Sequence, residues 1–146
     1  MMSINCRNLE IMQIPEYFSM FRYQNNDDIV ILGFDSMKSR KHAVEEICSL
    51  KQTKPFLLID GRMGGEHYQQ YVFKDVTLSS YLKTWYSDED GEPEPCNVKA
   101  SSYCSNMAGS MIVNAIRKVV TNGPYESMLT FNFPTMTIEK NTCFPA

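Results

Sequence analysis

The 146-residue chain has a net charge of −3, with 43% hydrophobic and 21% charged residues, the balance of a single soluble globular domain (residues 1–146) long enough to bury a real core. The acidic balance, with basic residues scattered apart from Lys38 to Lys41, argues against a general nucleic-acid binder. No apolar run approaches the roughly 20 residues of a membrane helix and the first ten residues hold no apolar signal core, so a cytoplasmic protein without a membrane partner is expected.

Residues 1–27 are mixed. Leu9, Ile11, Ile14, Phe18 and Phe21 can line a strand and a short helix, and the run from Asn25 to Asp28 reads as a turn. Ile29–Phe34 is short, apolar and β-branched, bounded by turn signals, and reads as a buried strand. Ser36 is a plausible N-cap for a helix running to about Leu50, with Met37, Val44, Ile47 and Cys48 on one face. After Pro55, Phe56–Ile59 reads as a second buried strand. Strand, helix and strand over this length predict a βαβ unit and parallel pairing.

The period changes after Gly64 and Gly65. His67–Phe73 alternates as a strand, Tyr68, Gln70 and Val72 against Gln69, Tyr71 and Phe73, and Leu78–Trp85 continues as a further extended or edge segment. This part of the sheet is expected to be antiparallel. Residues 87–96 are acidic and Pro-rich, the composition of a solvated loop. A long helix is expected from Asn97 to about Val120, with Ala100, Tyr103, Met107, Met111, Ala115 and Val119 at helical spacing. Asn122, Gly123 and Pro124 stop it. Met128–Phe133 and Thr135–Ile138 read as a final strand pair.

Two strand ends carry the chemistry. Ile29–Phe34 ends on Asp35, and Lys38, Arg40 and Lys41 follow in the first turns of the helix. Phe56–Ile59 ends on Asp60, followed by Arg62, the Gly64–Gly65 pair and Glu66. Open α/β sheets build ligand sites at the carboxyl ends of parallel strands. Each signal has a structural alternative. Asp35 can simply cap a helix, and Lys41 can pair with Glu45 on the surface. Asp60 and Arg62 can form a local salt bridge beside a turn that needs glycine's positive φ. Cys96 precedes a helix whose N-terminus stabilises a thiolate, or is an inert helix-start cysteine. Cys104 reads as core, His42 and His67 as surface, and Tyr81, Trp85 and Tyr86 as core or interface anchors. Five cysteines without a C-x-x-C pair suit reduced thiols and no structural zinc.

Three segments taken in series, FDSMKSR from Phe34 to Arg40, IDGRMGGE from Ile59 to Glu66, and CNVKASSY from Cys96 to Tyr103, resemble the carboxyl-terminal half of ThiF-type adenylyltransferases. These belong to the ubiquitin-activating-enzyme-like superfamily, and the nearest likeness is to its stand-alone bacterial and phage members. The resemblance covers about residues 20–133. It implies an α/β fold built as a Rossmann-like partial sheet, a βαβ unit followed by antiparallel strands. It also implies ATP and Mg²⁺ as cofactors and adenylation of the C-terminal carboxylate of a ubiquitin-like protein or peptide. On this likeness Asp35 matches the Mg²⁺-holding acid and Arg40 and Arg62 help orient anionic groups. Residues 87–96 match a crossover loop, and Cys96 lies where some members place a catalytic cysteine.

The pattern departs from the family upstream. The 28 residues before Ile29 contain no glycine, so no Gly-rich nucleotide loop precedes the Asp35 strand. Two expectations follow. One is part of an adenylyltransferase that needs a complementary amino-terminal-half subunit. The other is a catalytically inactive relative serving as a protein-interaction or assembly module. Either predicts a homo-oligomer or heteromer, because a sheet missing its first strands exposes an edge.

Overall fold

The computed structural model describes residues 26–50, 54–90 and 102–143. Five strands and three helices follow one another as β1 (Ile29–Leu32), α1 (Met37–Ser49), β2 (Leu57–Gly64), β3 (His67–Phe73), α2 (Leu78–Leu82), α3 (Ser102–Val120), β4 (Tyr125–Asn132) and β5 (Thr137–Cys143). The strands form one mixed sheet in the order β1-β2-β3-β4-β5. β1 and β2 are parallel, with Leu32 opposite Asp60, and every later pair is antiparallel. The expected βαβ unit and the antiparallel remainder are therefore both present, in a mixed α/β fold.

Strand alternation divides the core into two layers. Leu58 of β2 packs with Leu32, Ala43, Val44, Ile47, Val76 and Tyr81 under α1 and α2. Its neighbours Leu57 and Ile59 face the other way and pack with Val72, Ala115 and Val119 under α3. Further along α3, Met107, Ala108 and Met111 cover Tyr68, Leu129 and Phe131. β2 is thus covered on both faces, and Leu57 through Asp60 are all buried. That explains why its apolar run is continuous rather than alternating.

Each turn has a local cause. Ser36 caps α1 by accepting from the Ser39 amide at 3.1 Å, as the sequence predicts. The β2–β3 hairpin pairs Gly64 with His67 and turns through Gly65, whose φ is 56°, the first central position where glycine is favoured. Gly65→Ala is expected to cost about 1–2 kcal/mol, the penalty of a Cβ in the left-handed region, read as a lower urea midpoint. α3 ends at Val120 and is turned off by Asn122, which takes φ 53°, while the Gly123 amide donates to the Lys118 carbonyl at 2.8 Å.

Several elements differ from expectation. The expected buried strand Ile29–Phe34 ends at Leu32, and its Ile29 and Ile31 are exposed. The segment after Phe73 is not extended. Thr77 and Ser80 form a reciprocal capping box that starts α2, and the helix drives Tyr81 fully into the core. A threonine followed three residues later by a serine gave the backbone its helix start, which outweighed the aromatic and aliphatic strand propensity downstream. β5 also runs to Cys143, well beyond the expected Ile138. The expected strand and helix before Asn25, the loop residues 91–96 with Cys96, and the first turn of the helix expected from Asn97 lie outside the described residues. No helix among the described residues is long and apolar enough to cross a membrane.

Candidate functional site

The carboxyl end of the parallel pair brings two of the four candidate site residues, Arg40 and Arg62, together on Asp60 in a buried ion cluster. Leu58, Asp60 and Arg62 share the α1 side of β2 because strand side chains repeat every second residue. The carboxylate of Asp60 is fully buried. Its Oδ1 pairs with Arg40 from α1. Its Oδ2 accepts from Arg62 Nε at 2.9 Å and Nη2 at 2.7 Å, and from the Tyr81 hydroxyl at 3.1 Å. One carboxylate thus joins β2, α1 and α2.

Both arginines are also held by oxygens of the chain. Arg40 donates to the main-chain carbonyls of Leu32 at 3.2 Å and Gly61 at 3.0 Å, and to that of Phe34. It therefore grips the end of β1 and the turn that leads to Asp35. Arg62 donates to the Thr84 carbonyl at 2.6 Å and to Thr84 Oγ1 at 3.1 Å. Its guanidinium lies 4.5 Å from the ring centre of Tyr71 and 5.6 Å from that of Tyr86, where aromatic faces attract a cation. In this structure the anion that Arg40 and Arg62 orient is Asp60 itself.

The cluster marks its surroundings electrostatically. Burial, and then the negative charge of Asp60, push the Tyr68 and Tyr81 hydroxyls far above their ordinary range. Both phenols stay protonated and act as donors, Tyr81 to Asp60 and Tyr68 to Gln70 Oε1 at 2.8 Å.

Asp35 is placed differently. It is exposed, in the bend between β1 and α1, directly after the Phe34 carbonyl that Arg40 holds. A single exposed carboxylate is a sufficient protein ligand for Mg²⁺ where phosphate oxygens and waters complete the octahedron. Among the described residues no group of three or more His, Cys, Asp or Glu side chains converges as a metal cage. Cys96 lies outside the described residues. Glu66 is bonded to the Tyr103 hydroxyl of α3, so the glycine hairpin is tied to the second helical layer. Lys41 stands 3.6 Å from Glu45, the surface pair its spacing predicts. His42 and His67 are exposed and Cys104 is buried, again as read from sequence.

Sequence reasoning missed the bonds of Tyr81 and Thr84 in the cluster and a more distant participant. Asp88 reaches across to the start of α1 and accepts from the Met37 amide at 2.6 Å and the Lys38 amide at 3.2 Å. The two residues lie 50 and 51 positions away, and an acidic loop residue carries no local sign of such a role. No protein-family model matches the chain, and no curated protein matches it.

Proposed function

We propose that this chain is the carboxyl-terminal half of a ThiF-type adenylyltransferase, a Rossmann-like partial sheet completed by a chain that brings the Gly-rich nucleotide loop. The observation that carries the reading is the parallel β1–α1–β2 unit, which leaves Asp35 exposed at the carboxyl end of β1, where α/β sheets bind ligands. β1 is also a terminal strand of the sheet among the described residues. Ile29 and Ile31 on it are 36% and 49% exposed, while α3 packs across β2, β3 and β4. An apolar terminal strand of this kind suits a further strand from a complementary subunit or a second copy.

In the proposed reaction an oxygen of a protein or peptide C-terminal carboxylate attacks the α-phosphorus of ATP. A new C–O–P link forms, the bond to the β-phosphate breaks, and pyrophosphate leaves with the electron pair. Bound Mg²⁺ would neutralise phosphate charge, and Asp35 would hold it. Arg40 fixes the turn that presents Asp35. Cys96 is the candidate thiolate that would then attack the acyl carbonyl, forming a thioester while the C–O bond to the phosphate breaks and AMP leaves.

ATP–pyrophosphate exchange, measured on the chain alone and mixed with a chain carrying a strand, Gly-rich loop and helix, tests this. Exchange in the mixture is the expected result. Asp35→Ala should then lower it by on the order of 10²-fold or more, the scale of losing one electrostatic element, without moving the urea midpoint, because Asp35 is exposed. Absence of both exchange and ATP–Mg²⁺ binding under either condition would leave the second reading, an inactive interaction or assembly module. One observation favours that reading. Arg40 and Arg62 are spent on Asp60 and on main-chain carbonyls rather than turned toward an open site.

A further inference from the structure

The segment from Thr84 to Asp90 is fastened to the body of the domain at three points. Thr84 accepts twice from Arg62. Trp85 donates from its indole nitrogen to the Met37 carbonyl at 2.9 Å, with the Lys41 ammonium 5.0 Å above its ring. Asp88 receives the Met37 and Lys38 amides. Together with Ser36, which takes the Ser39 amide, Asp88 satisfies the first three amides of α1. A helix N-terminus normally leaves these without partners inside the helix.

The segment's apolar anchorage is one side chain, Trp85, half-buried and packed against the core under α1 and α2, while Tyr86, Asp88, Glu89 and Asp90 are exposed. Its far end is folded on itself, the Asp90 amide donating to the Ser87 carbonyl at 3.0 Å and the Ser87 amide to Asp90 Oδ2 at 3.3 Å. A unit held by one packed indole and a few polar bonds at the domain's edge, beside a strand β2 that is covered on both faces, is the less stable of the two.

We propose that residues 84–90 are a strap that opens as one unit while the sheet stays folded. Closed, it caps α1 with Asp88 and encloses Arg62 between Thr84, Tyr71 and Tyr86. Open, it uncovers the Met37 and Lys38 amides and the outer side of the Arg62 guanidinium, next to the turn that carries Asp35. The strap is then the element that decides whether Arg62 faces Asp60 alone or also a ligand at that corner. For the regulation of a ligand site this rests on the adenylyltransferase reading. The opening itself rests on the contacts alone and is measured without nucleotide.

Trp85 is the only tryptophan in the chain, so its fluorescence reports the strap directly. In wild-type protein under increasing urea, acrylamide quenching of Trp85 should rise before the far-UV circular dichroism of the sheet and helices changes. In Asp88→Ala the quenching should rise about twofold without urea. Amide exchange at Met37 and Lys38 should speed up roughly 5–30-fold, the range for losing one helix-capping contact, while Leu58 and Ile59 in β2 exchange as before. Asp88→Asn, which keeps an acceptor oxygen, should lie between. The proposal is overturned if the Trp85 and circular-dichroism transitions coincide in the wild type, or if Asp88→Ala leaves Trp85, Met37 and Lys38 unchanged. It also fails if β2 exchange accelerates equally. Should Asp88→Ala not fold, the wild-type urea experiment and Asp88→Asn decide the matter.

Discussion

Asp60→Ala is expected to destabilise the protein by about 3–5 kcal/mol, the cost of removing one partner from a buried ion pair. Two guanidiniums would remain, with only 8% and 5% of their side-chain surface exposed, and the Tyr81 hydroxyl would lose its acceptor. That loss is a large part of a typical domain's total stability, so the variant should unfold at a much lower urea concentration. The source of the cost is testable by a double-mutant cycle. With Arg40→Met already in place, one stranded cation is gone, and Asp60→Ala should cost less. A coupling of roughly 0.5–3 kcal/mol is the range for residues in one buried network. A loss below about 1 kcal/mol for Asp60→Ala, or additive single effects, would mean that the main-chain carbonyls alone satisfy both arginines.

Those carbonyls explain why two arginines surround one acid. Arg40 carries three carbonyl contacts, to Leu32, Phe34 and Gly61, and so crosslinks the ends of the two parallel strands. Arg62 carries the bond to Thr84 and crosslinks the sheet to the strap. Carbonyl dipoles take up the positive charge that a single carboxylate does not neutralise. A planar guanidinium with several fixed donors is the side chain suited to both tasks. A lysine at position 40 could not reach three carbonyls and Asp60 from one position.

The sequence was most legible where a single local rule applied. Helix α1 could be read from Ser36 and its apolar face, β3 from its alternation, and the hairpin from its glycine pair. β2 was recognised as buried because Leu57 through Ile59 is uninterrupted. Its length was underestimated, because Asp60 and Arg62 look like a loop until both are seen to be buried. The Asp60–Arg62 bridge is expected from the sequence only as a pair of charges beside a turn, whereas the two residues stand at i and i+2 of β2 and so share one face. Nothing local could add Arg40 as the second cation or Tyr81 as the third donor, because α1 and α2 come together there only in the folded domain. α2 departs from the strand that its aromatic and aliphatic residues favour, because the reciprocal bonds of Thr77 and Ser80 start a helix. The Asp88 cap is the extreme case, a local motif completed by a residue 50 positions away.

Raising the pH above about 10, the ordinary tyrosine value, is expected to unfold the protein steeply. Tyr68 and Tyr81 are raised from 10.0 first by burial and then by the charge of Asp60. Below pH 10 both are protonated in the folded and unfolded chains, and their contribution to stability is fully present. Above it the unfolded chain releases two protons that the folded chain retains. Stability then falls by up to about 2.7 kcal/mol per pH unit, twice the value of one group, until the pH reaches the folded-state values. Two units of alkalinity would remove about 5 kcal/mol, the lower end of ordinary domain stability. Urea unfolding at pH 8, 9, 10 and 11 measures the slope. The Tyr68→Phe, Tyr81→Phe double variant starts from a lower level at pH 8, because each hydroxyl bond contributes about 1 kcal/mol, and should lose most of the slope. Tyr125, half-buried and raised by burial and then by Cys143, accounts for part of what remains. An unchanged slope in the double variant would show that both phenols ionise as readily in the folded chain as in the unfolded one. Neither phenol could then be sealed beside a buried carboxylate, which makes alkaline unfolding an independent measure of how dry the Asp60 cluster is.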